Sequence, residues 1–266
     1  ALEGETIAGG YGSGSEANQL SYPNGLFVDI NGNVYVVDSQ NHRVQKWAVG
    51  AVEGETVAGG NGQGSEANQL SNPNSIFVDL DGNVYVSDGS NHRIQKWVPG
   101  GTEGETVAGG YGQGSAANQL SYPNGIFMDK EGNIYVADSN NSRVQKWDLG
   151  AGSGITILGG VDTPLEYPND IFVDKAGAIY IPGGMMNYAS VLKYQINPQI
   201  VIKAGETERI LNVSGVEDTL DEFEETIIFN ATATNAVLTG VDSFSVILND
   251  INEPPTVSFE LSKEVI

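Results

Sequence analysis

Cysteine is absent from the 266 residues, so no disulfide framework, thiolate metal site or cysteine nucleophile is available. Basic residues are scarce: 12 Lys and Arg stand against 34 Asp and Glu, a net charge of −22. Phosphate backbones attract basic surfaces and are repelled by an acidic one, which argues against nucleic acid as a partner. Histidine occurs only as His42 and His92, short of the three protein ligands that a catalytic zinc site normally draws. No apolar run has the about 20 residues that a membrane-spanning helix needs. No signal-peptide pattern opens the sequence, an absence that means little in a piece of a longer chain.

What the chain does have is a period. Trp47, Trp97 and Trp147 sit fifty residues apart, each closing a near-copy of one block, such as Pro73-Asn74-Ser75-Ile76-Phe77-Val78-Asp79 through Asn91-His92-Arg93-Ile94-Gln95-Lys96-Trp97. A period of this length is the mark of a repeat architecture. A worn fourth copy runs from Pro168-Asn169-Asp170-Ile171-Phe172-Val173-Asp174 to Val191-Leu192-Lys193-Tyr194. Within a unit, short alternating runs rich in β-branched and aromatic residues read as strands: Leu26-Phe27-Val28, Val34-Tyr35-Val36, Val44-Gln45-Lys46-Trp47 and Glu55-Thr56-Val57-Ala58. Asn31-Gly32, Asp81-Gly82 and Glu131-Gly132 sit between the first two runs, where a tight hairpin needs positive φ angles. Each unit therefore predicts a four-stranded antiparallel meander, and such meanders repeated radially are the blades of a β-propeller.

Asn24-Gly25-Leu26-Phe27-Val28-Asp29, Gly32-Asn33-Val34-Tyr35-Val36-Val37-Asp38 and Asn41-His42-Arg43-Val44-Gln45-Lys46-Trp47 resemble the NHL repeat. The resemblance implies an all-β fold with an NHL-type β-propeller over residues 1–198, either four four-stranded blades or part of a larger ring. A copy of the fourth run, Glu5-Thr6-Ile7-Ala8, precedes the first complete blade. It could complete the blade begun at Asn169 by strand exchange, or be the tail of a preceding blade; the second is our expectation.

Beyond residue 198 the glycines thin out. Asp218 to Ile227 and Phe244 to Asp250 resemble the second half of a Calx-β domain, a partial β-sandwich over 199–253, and Pro254 to Ser262 resembles the opening strand of a further such domain over 254–266. With no initiator Met and an unfinished last domain, we expect a piece of a longer multidomain protein, extracellular or at a cell surface.

Four sets of residues are candidates for function. Calcium takes six to eight oxygens in irregular geometry, which suits the carboxylates between Glu217 and Glu225; the Calx-β resemblance implicates Glu217, Asp218 and Glu222 with Asp250 as Ca2+ ligands. Asp38 with Arg43, Asp88 with Arg93 and Asp138 with Arg143 flank one loop of each unit and vanish together in the fourth, where Gly183 and Ser190 stand. That joint loss points to a pair, read as an intrablade bridge rather than a ligand clamp; an exposed bridge contributes only about 0–1 kcal/mol. In an up-and-down blade, the loops around 9–25 and 38–42 emerge on one side. They carry Tyr11, Tyr22, Asn24, Asn41 and His42, with Asn91, His92, Tyr111 and Tyr122 as counterparts, a set suited to a protein, peptide or glycan. The fourth set, the glycines of Gly9 to Ser15, superficially resembles a phosphate-cradling loop, but no helix and no P-loop lysine follows.

Two functions follow. One is a non-enzymatic binding scaffold whose propeller presents the polar loops. The other is a propeller enzyme, lyase- or lactonase-like, with a metal in the central channel. Near-identical blades favour the scaffold, because an asymmetric site needs residues that differ from blade to blade.

Overall fold

A computed structural model describes residues 4–160, 165, 167–175, 177–183, 190–195, 225–230 and 243–248. It divides into two compact units, Ala1–Ile196 and Asn197–Ile266. The first holds four blades. Blade 1 is β1 (Pro23–Val28), β2 (Val34–Asp38), β3 (Arg43–Trp47) and β4 (Glu55–Gly59). Blade 2 is β5 (Pro73–Val78), β6 (Val84–Asp88), β7 (Arg93–Trp97) and β8 (Glu105–Gly109). Blade 3 is β9 (Pro123–Met128), β10 (Ile134–Asp138), β11 (Arg143–Trp147) and β12 (Ile155–Gly159). Blade 4 comprises β13 (Phe172–Val173), β14 (Ala178–Gly183) and β15 (Ser190–Gln195). In every blade, sequence neighbours pair antiparallel, in the order of a meander. In the second unit, β16 (Glu225–Asn230) pairs antiparallel with β17 (Ser243–Leu248). Helix among the described residues is limited to the 3-10 turns Ser39–Asn41, Gly89–Asn91 and Ser139–Asn141, and none is long and apolar enough to cross a membrane. The chain is thus all-β, with a four-blade propeller arrangement.

The hairpin between the first two strands differs from the expected Asn-Gly turn. Only Gly32 has positive φ there, at 80°; Asn31 does not. The Asp29 carboxylate closes the loop instead, accepting the Asn31 and Asn33 N–H groups at 2.9 Å each, the Asn33 amide at 2.8 Å and the Tyr35 hydroxyl at 3.3 Å. Asp79 and Asp129 repeat this arrangement. A side chain that satisfies two backbone donors stands in for the second left-handed residue.

The core lies between blades. Tyr35, Val37, Val44 and Ala58 of blade 1 bury against Ile76, Val78, Val84, Val86 and Trp97 of blade 2. The pattern recurs between blades 2 and 3, with Tyr85, Ile94 and Ala108 against Ile126, Met128, Ile134, Val136 and Trp147. It recurs again between blades 3 and 4, with Tyr135, Ala137 and Val144 against Ile171, Val173, Ile179 and Ile181. Strand alternation sends successive residues to opposite faces of each sheet, so every blade is apolar on both faces and needs a neighbour on each. Phe27, Phe77, Phe127 and Phe172 link the innermost strands through ring contacts of 5.2, 6.0 and 5.5 Å. Each blade tryptophan sits over a glycine: a Cβ on Gly104 would come within 2.7 Å of the Trp97 ring.

Glu5-Thr6-Ile7-Ala8, expected as a strand, is not one, and Ile7 is exposed. Ala8 nonetheless packs with Leu20 and Ala51 on the face of blade 1 formed by Val34, Val36 and Trp47.

Candidate functional site

The site is built on the blade ends where the connecting loops meet. Asp38 closes β2, and the pleat turns its carboxylate inward under the loop. Its Oδ1 accepts the Ser21 N–H at 2.6 Å, while Oδ2 accepts the Arg43 Nε–H and the Asn41 amide at 2.8 Å each. Arg43 donates onward through Nη2 to the carbonyls of Glu16 and Gln19, and Asn41 donates to Gly14 O. Asp88 with Arg93 and Asp138 with Arg143 repeat the pair at 2.8 Å. The aspartates are fully buried and the arginines nearly so. The expected exposed bridge is therefore a buried hub, because the loop it ties folds over it. Burial pushes the Asp88 carboxyl up from the ordinary range, against the downward pull of Asn91, Ser71 and Arg93. In blade 4 the same register pairs Gly183 with Ser190.

Two strained positions recur at this end, and in blades 1 to 3 the hub holds the residue before the first of them. Tyr22, Asn72, Tyr122 and Tyr167 have φ of 51°, 47°, 54° and 43°, although each precedes a proline, which favours extended backbone. His42, His92 and Ser142 end the 3-10 turns at φ 52°, 55° and 53°. Left-handed non-glycine residues cost of order 1–3 kcal/mol each and persist where the surroundings over-determine them.

Adjacent blades are latched across this end. His92 Nδ1 accepts the Tyr122 N–H at 3.1 Å and His42 Nδ1 accepts the Asn72 N–H at 3.3 Å. An accepting Nδ1 places the imidazole proton on Nε2. The Ser39 hydroxyl donates to Pro73 O at 2.8 Å, the Asn74 amide to Pro123 O at 3.2 Å and the Ser139 hydroxyl to Pro168 O at 2.6 Å.

Of the residues expected on a ligand face, Tyr11, Tyr22, Asn24, Tyr111 and Tyr122 are exposed. Asn41 and Asn91 spend their amides on the hub, and His42 and His92 serve as latches. Tyr22, Pro23, Asn24, Ser39, Gln40 and Asn74 line a cleft of about 390 Å3 between blades 1 and 2. Glu217, Asp218, Glu222 and Asp250 lie outside the described residues. Among the described residues, no group of three or more His, Asp and Glu side chains is placed to hold a metal ion.

Asp170 was not singled out by its sequence. It begins the innermost run of blade 4 where the other blades carry Gly25, Ser75 and Gly125, and a Cβ on Gly125 would collide with it. Burial pushes its carboxyl up, opposed by the Ile171 N–H that donates to it at 2.9 Å. The signal was the departure from the repeat at that one position.

The NHL repeat family matches residues 20–47, 70–97 and 120–147, which are the first three strands of blades 1 to 3; these are NHL repeats. Among solved structures the chain is similar to a protein of unknown function from Bacteroides thetaiotaomicron, at 26% identity and a TM-score of 0.50, covering 60% of this chain and 44% of that one. It is similar to virginiamycin B lyase from Staphylococcus aureus at 14% identity and a TM-score of 0.48, covering 68% of this chain and 58% of that one. It is also similar to a chain of the nidogen/laminin complex at 20% identity and a TM-score of 0.48, covering 61% and 57%. The chain therefore spans about half the length of these structures. No curated protein matches it. These likenesses concern fold, and propellers of both catalytic and binding proteins are among them.

The latch makes the blade contact pH-dependent. Burial lowers the His92 pKa from the ordinary 6.5, outweighing the upward pull of Asp138 and Asp88. Folding then favours the neutral ring, so the stability it contributes is complete above pH 6.5 and is lost as pH falls below that value through the folded pKa. An NMR titration of the His92 ring protons should give a midpoint below 6.5, with the Tyr122 amide signal moving in step. A midpoint at or above the ordinary value would remove the latch from the account.

Proposed function

We propose that the propeller is a non-enzymatic binding module of a secreted or cell-surface protein, offering its loop face to a neutral polar ligand, a peptide or a glycan. The reading is carried by exposed aromatic rings set on immobilised backbone. Tyr22 and Tyr122 project from left-handed positions held by the Asp–Arg hubs, and Tyr11 and Tyr111 stand on loops whose carbonyls accept the Gln19 and Gln119 amides at 3.1 Å each. Rigid aromatics give contact area at small entropic cost, and the cleft beside Tyr22 is lined by the exposed Asn24 amide for orientation. One aromatic contact contributes about 0.5–1.5 kcal/mol. Tyr22→Ala and Tyr122→Ala should each weaken a ligand found by glycan or peptide array by about 2- to 13-fold. Unchanged affinity in both variants, with the fold intact, would move the site off this face.

One observation favours the enzymatic alternative. Asp170 gives blade 4 an acid that its sister blades lack, and asymmetry of this kind is what a catalytic centre requires. A turnover abolished by Asp170→Asn would favour that alternative over the binding reading.

Calcium is proposed for the acidic stretch of the second unit, with Glu217, Asp218, Glu222 and Asp250 as ligands. The support is their density in the sequence, since crowded like charges destabilise a compact state until a cation screens them. Millimolar calcium should raise the melting temperature of the chain, because a ligand bound only by the folded state stabilises it. Asp218→Asn should shrink that rise. An unshifted melting curve and no heat in calorimetric titration would reduce the stretch to a solvated acidic loop.

A further inference from the structure

The blade ends opposite the loop face carry bare apolar side chains. In an antiparallel meander the β1–β2 hairpin and the β3–β4 turn share one end. They lie against each other in every complete blade: a Cβ on Gly32 would come within 3.1 Å of Val49, one on Gly82 within 3.4 Å of Pro99 and one on Gly132 within 3.5 Å of Leu149. On the surface they form, Ile30 is 82% exposed and Leu80 86%, and Val49, Val98 and Leu149 are exposed beside them. Blade 2 is flanked by blades 1 and 3, so the exposure of Leu80 and Val98 is a property of the turns rather than of an uncovered blade face. Phe27 and Phe77, which precede Ile30 and Leu80 at equivalent positions, touch at 5.2 Å and set the two hairpins side by side.

The fold does not ask for these residues. Lys130 and Lys175 take the place of Ile30 and Leu80 in blades 3 and 4, and blade 3 keeps the same carboxylate closure of its hairpin on Asp129. Single exposed apolar residues are ordinary, whereas a grouped set marks an interaction surface.

Charge says what covers it. In blades 1 and 2, Glu53, Asp81 and Glu103 are exposed at this end and have no ion pair among the described residues. Asp29 and Asp79 close the hairpins, and Glu55 and Glu105 are offset by Lys46 and Lys96, their partners in the strand register. Blade 3 differs, because Glu131 meets Lys130 at 3.5 Å and Asp148 meets Lys146 at 2.9 Å. The surface that is both apolar and unbalanced in charge is therefore that of blades 1 and 2, and its imbalance is negative.

We infer that this end of blades 1 and 2 docks a basic, amphipathic protein segment, whose apolar side chains cover Ile30, Val49, Leu80 and Val98 while its Lys or Arg side chains meet Glu53, Asp81 and Glu103. An apolar centre with a charged rim is the ordinary anatomy of such a contact, and complementary charge selects the partner. A second copy of this chain, with its net charge of −22, brings the wrong sign. So do residues 197–266, whose cations are only Lys203, Arg209 and Lys263, and so does an anionic lipid surface. The surface is separate from the loop face, and its test does not depend on the reading of that face.

Titrating the full chain with a peptide of alternating Leu and Lys should shift the amide signals of Ile30, Leu80 and Val98 in NMR spectra and leave those of Tyr22 and Tyr122 in place. Ile30→Ser with Leu80→Ser should weaken the peptide by at least about tenfold with an unchanged melting temperature, since blade 3 already carries a polar residue at that position. Asp81→Asn with Glu103→Gln should weaken it as well and flatten its dependence on salt. A peptide of alternating Leu and Glu should not bind. Shifts confined to the loop end, an affinity unchanged in the serine variant, or equal binding of the Leu and Glu peptide would overturn the proposal. A sedimentation mass above the 28.1 kDa of one chain that the serine variant restores to one chain would make a second copy the occupant instead. Binding to phosphatidylcholine vesicles that the serine variant loses would make it a membrane.

Discussion

A buried ion pair that no strand ladder requires holds the loop end of blades 1 to 3 in place. Asp38, Asp88 and Asp138 are each sealed from solvent and surrounded by donors from three places: the loop entering the blade, the 3-10 turn and the arginine of the next strand. The arginine then satisfies carbonyls of the long connection, so one hub sets two loops against each other. Taking such charges out of water costs several kcal/mol per ion unless geometry and hydrogen bonding are complete. Here the hydrogen bonding is extensive, and the loops have little freedom to rearrange without stranding a charge.

That constraint supports the features above it in blades 1 to 3. Tyr22, Asn72 and Tyr122 hold left-handed backbone before proline, and the hub fixes the residue just before each, through the Ser21, Ser71 and Ser121 N–H groups. Tyr167 of blade 4 holds the same conformation without a hub. From there the histidine latches and the serine and asparagine bonds pass order to the next blade. The result is a face whose exposed rings are held in position by buried charge, the arrangement on which the binding proposal rests.

Much of this was legible in the chain. The tryptophan period gave the blades, the alternating runs located β1 to β4 within three residues at their ends, and the joint loss of Asp and Arg in the fourth unit marked them as partners. Burial of that pair was not legible, because it depends on the long glycine-rich connection folding back over Asp38, a tertiary event with no local signature. For the same reason Asn41 and His42 read as free polar loop residues, when the first completes the hub and the second accepts a bond from a residue thirty positions on. The hairpin turn was read from Asn-Gly alone, and the competing Asp29 side chain won because it satisfies two backbone donors at once. Glu5-Thr6-Ile7-Ala8 has a strand's sequence but no strand partner among the described residues; propensity cannot substitute for pairing.

The central claim is that the Asp–Arg hub is a buried determinant of stability. The direct measurement is the unfolding free energy of Arg93→Leu in denaturant, followed by the fluorescence of Trp47, Trp97 and Trp147. Removing one partner of a buried pair costs about 3–5 kcal/mol, since Asp88 would be left charged and uncompensated, and adding Asp88→Asn should recover part of that loss. A loss of only about 0–1 kcal/mol, the value for an exposed bridge, would contradict the account.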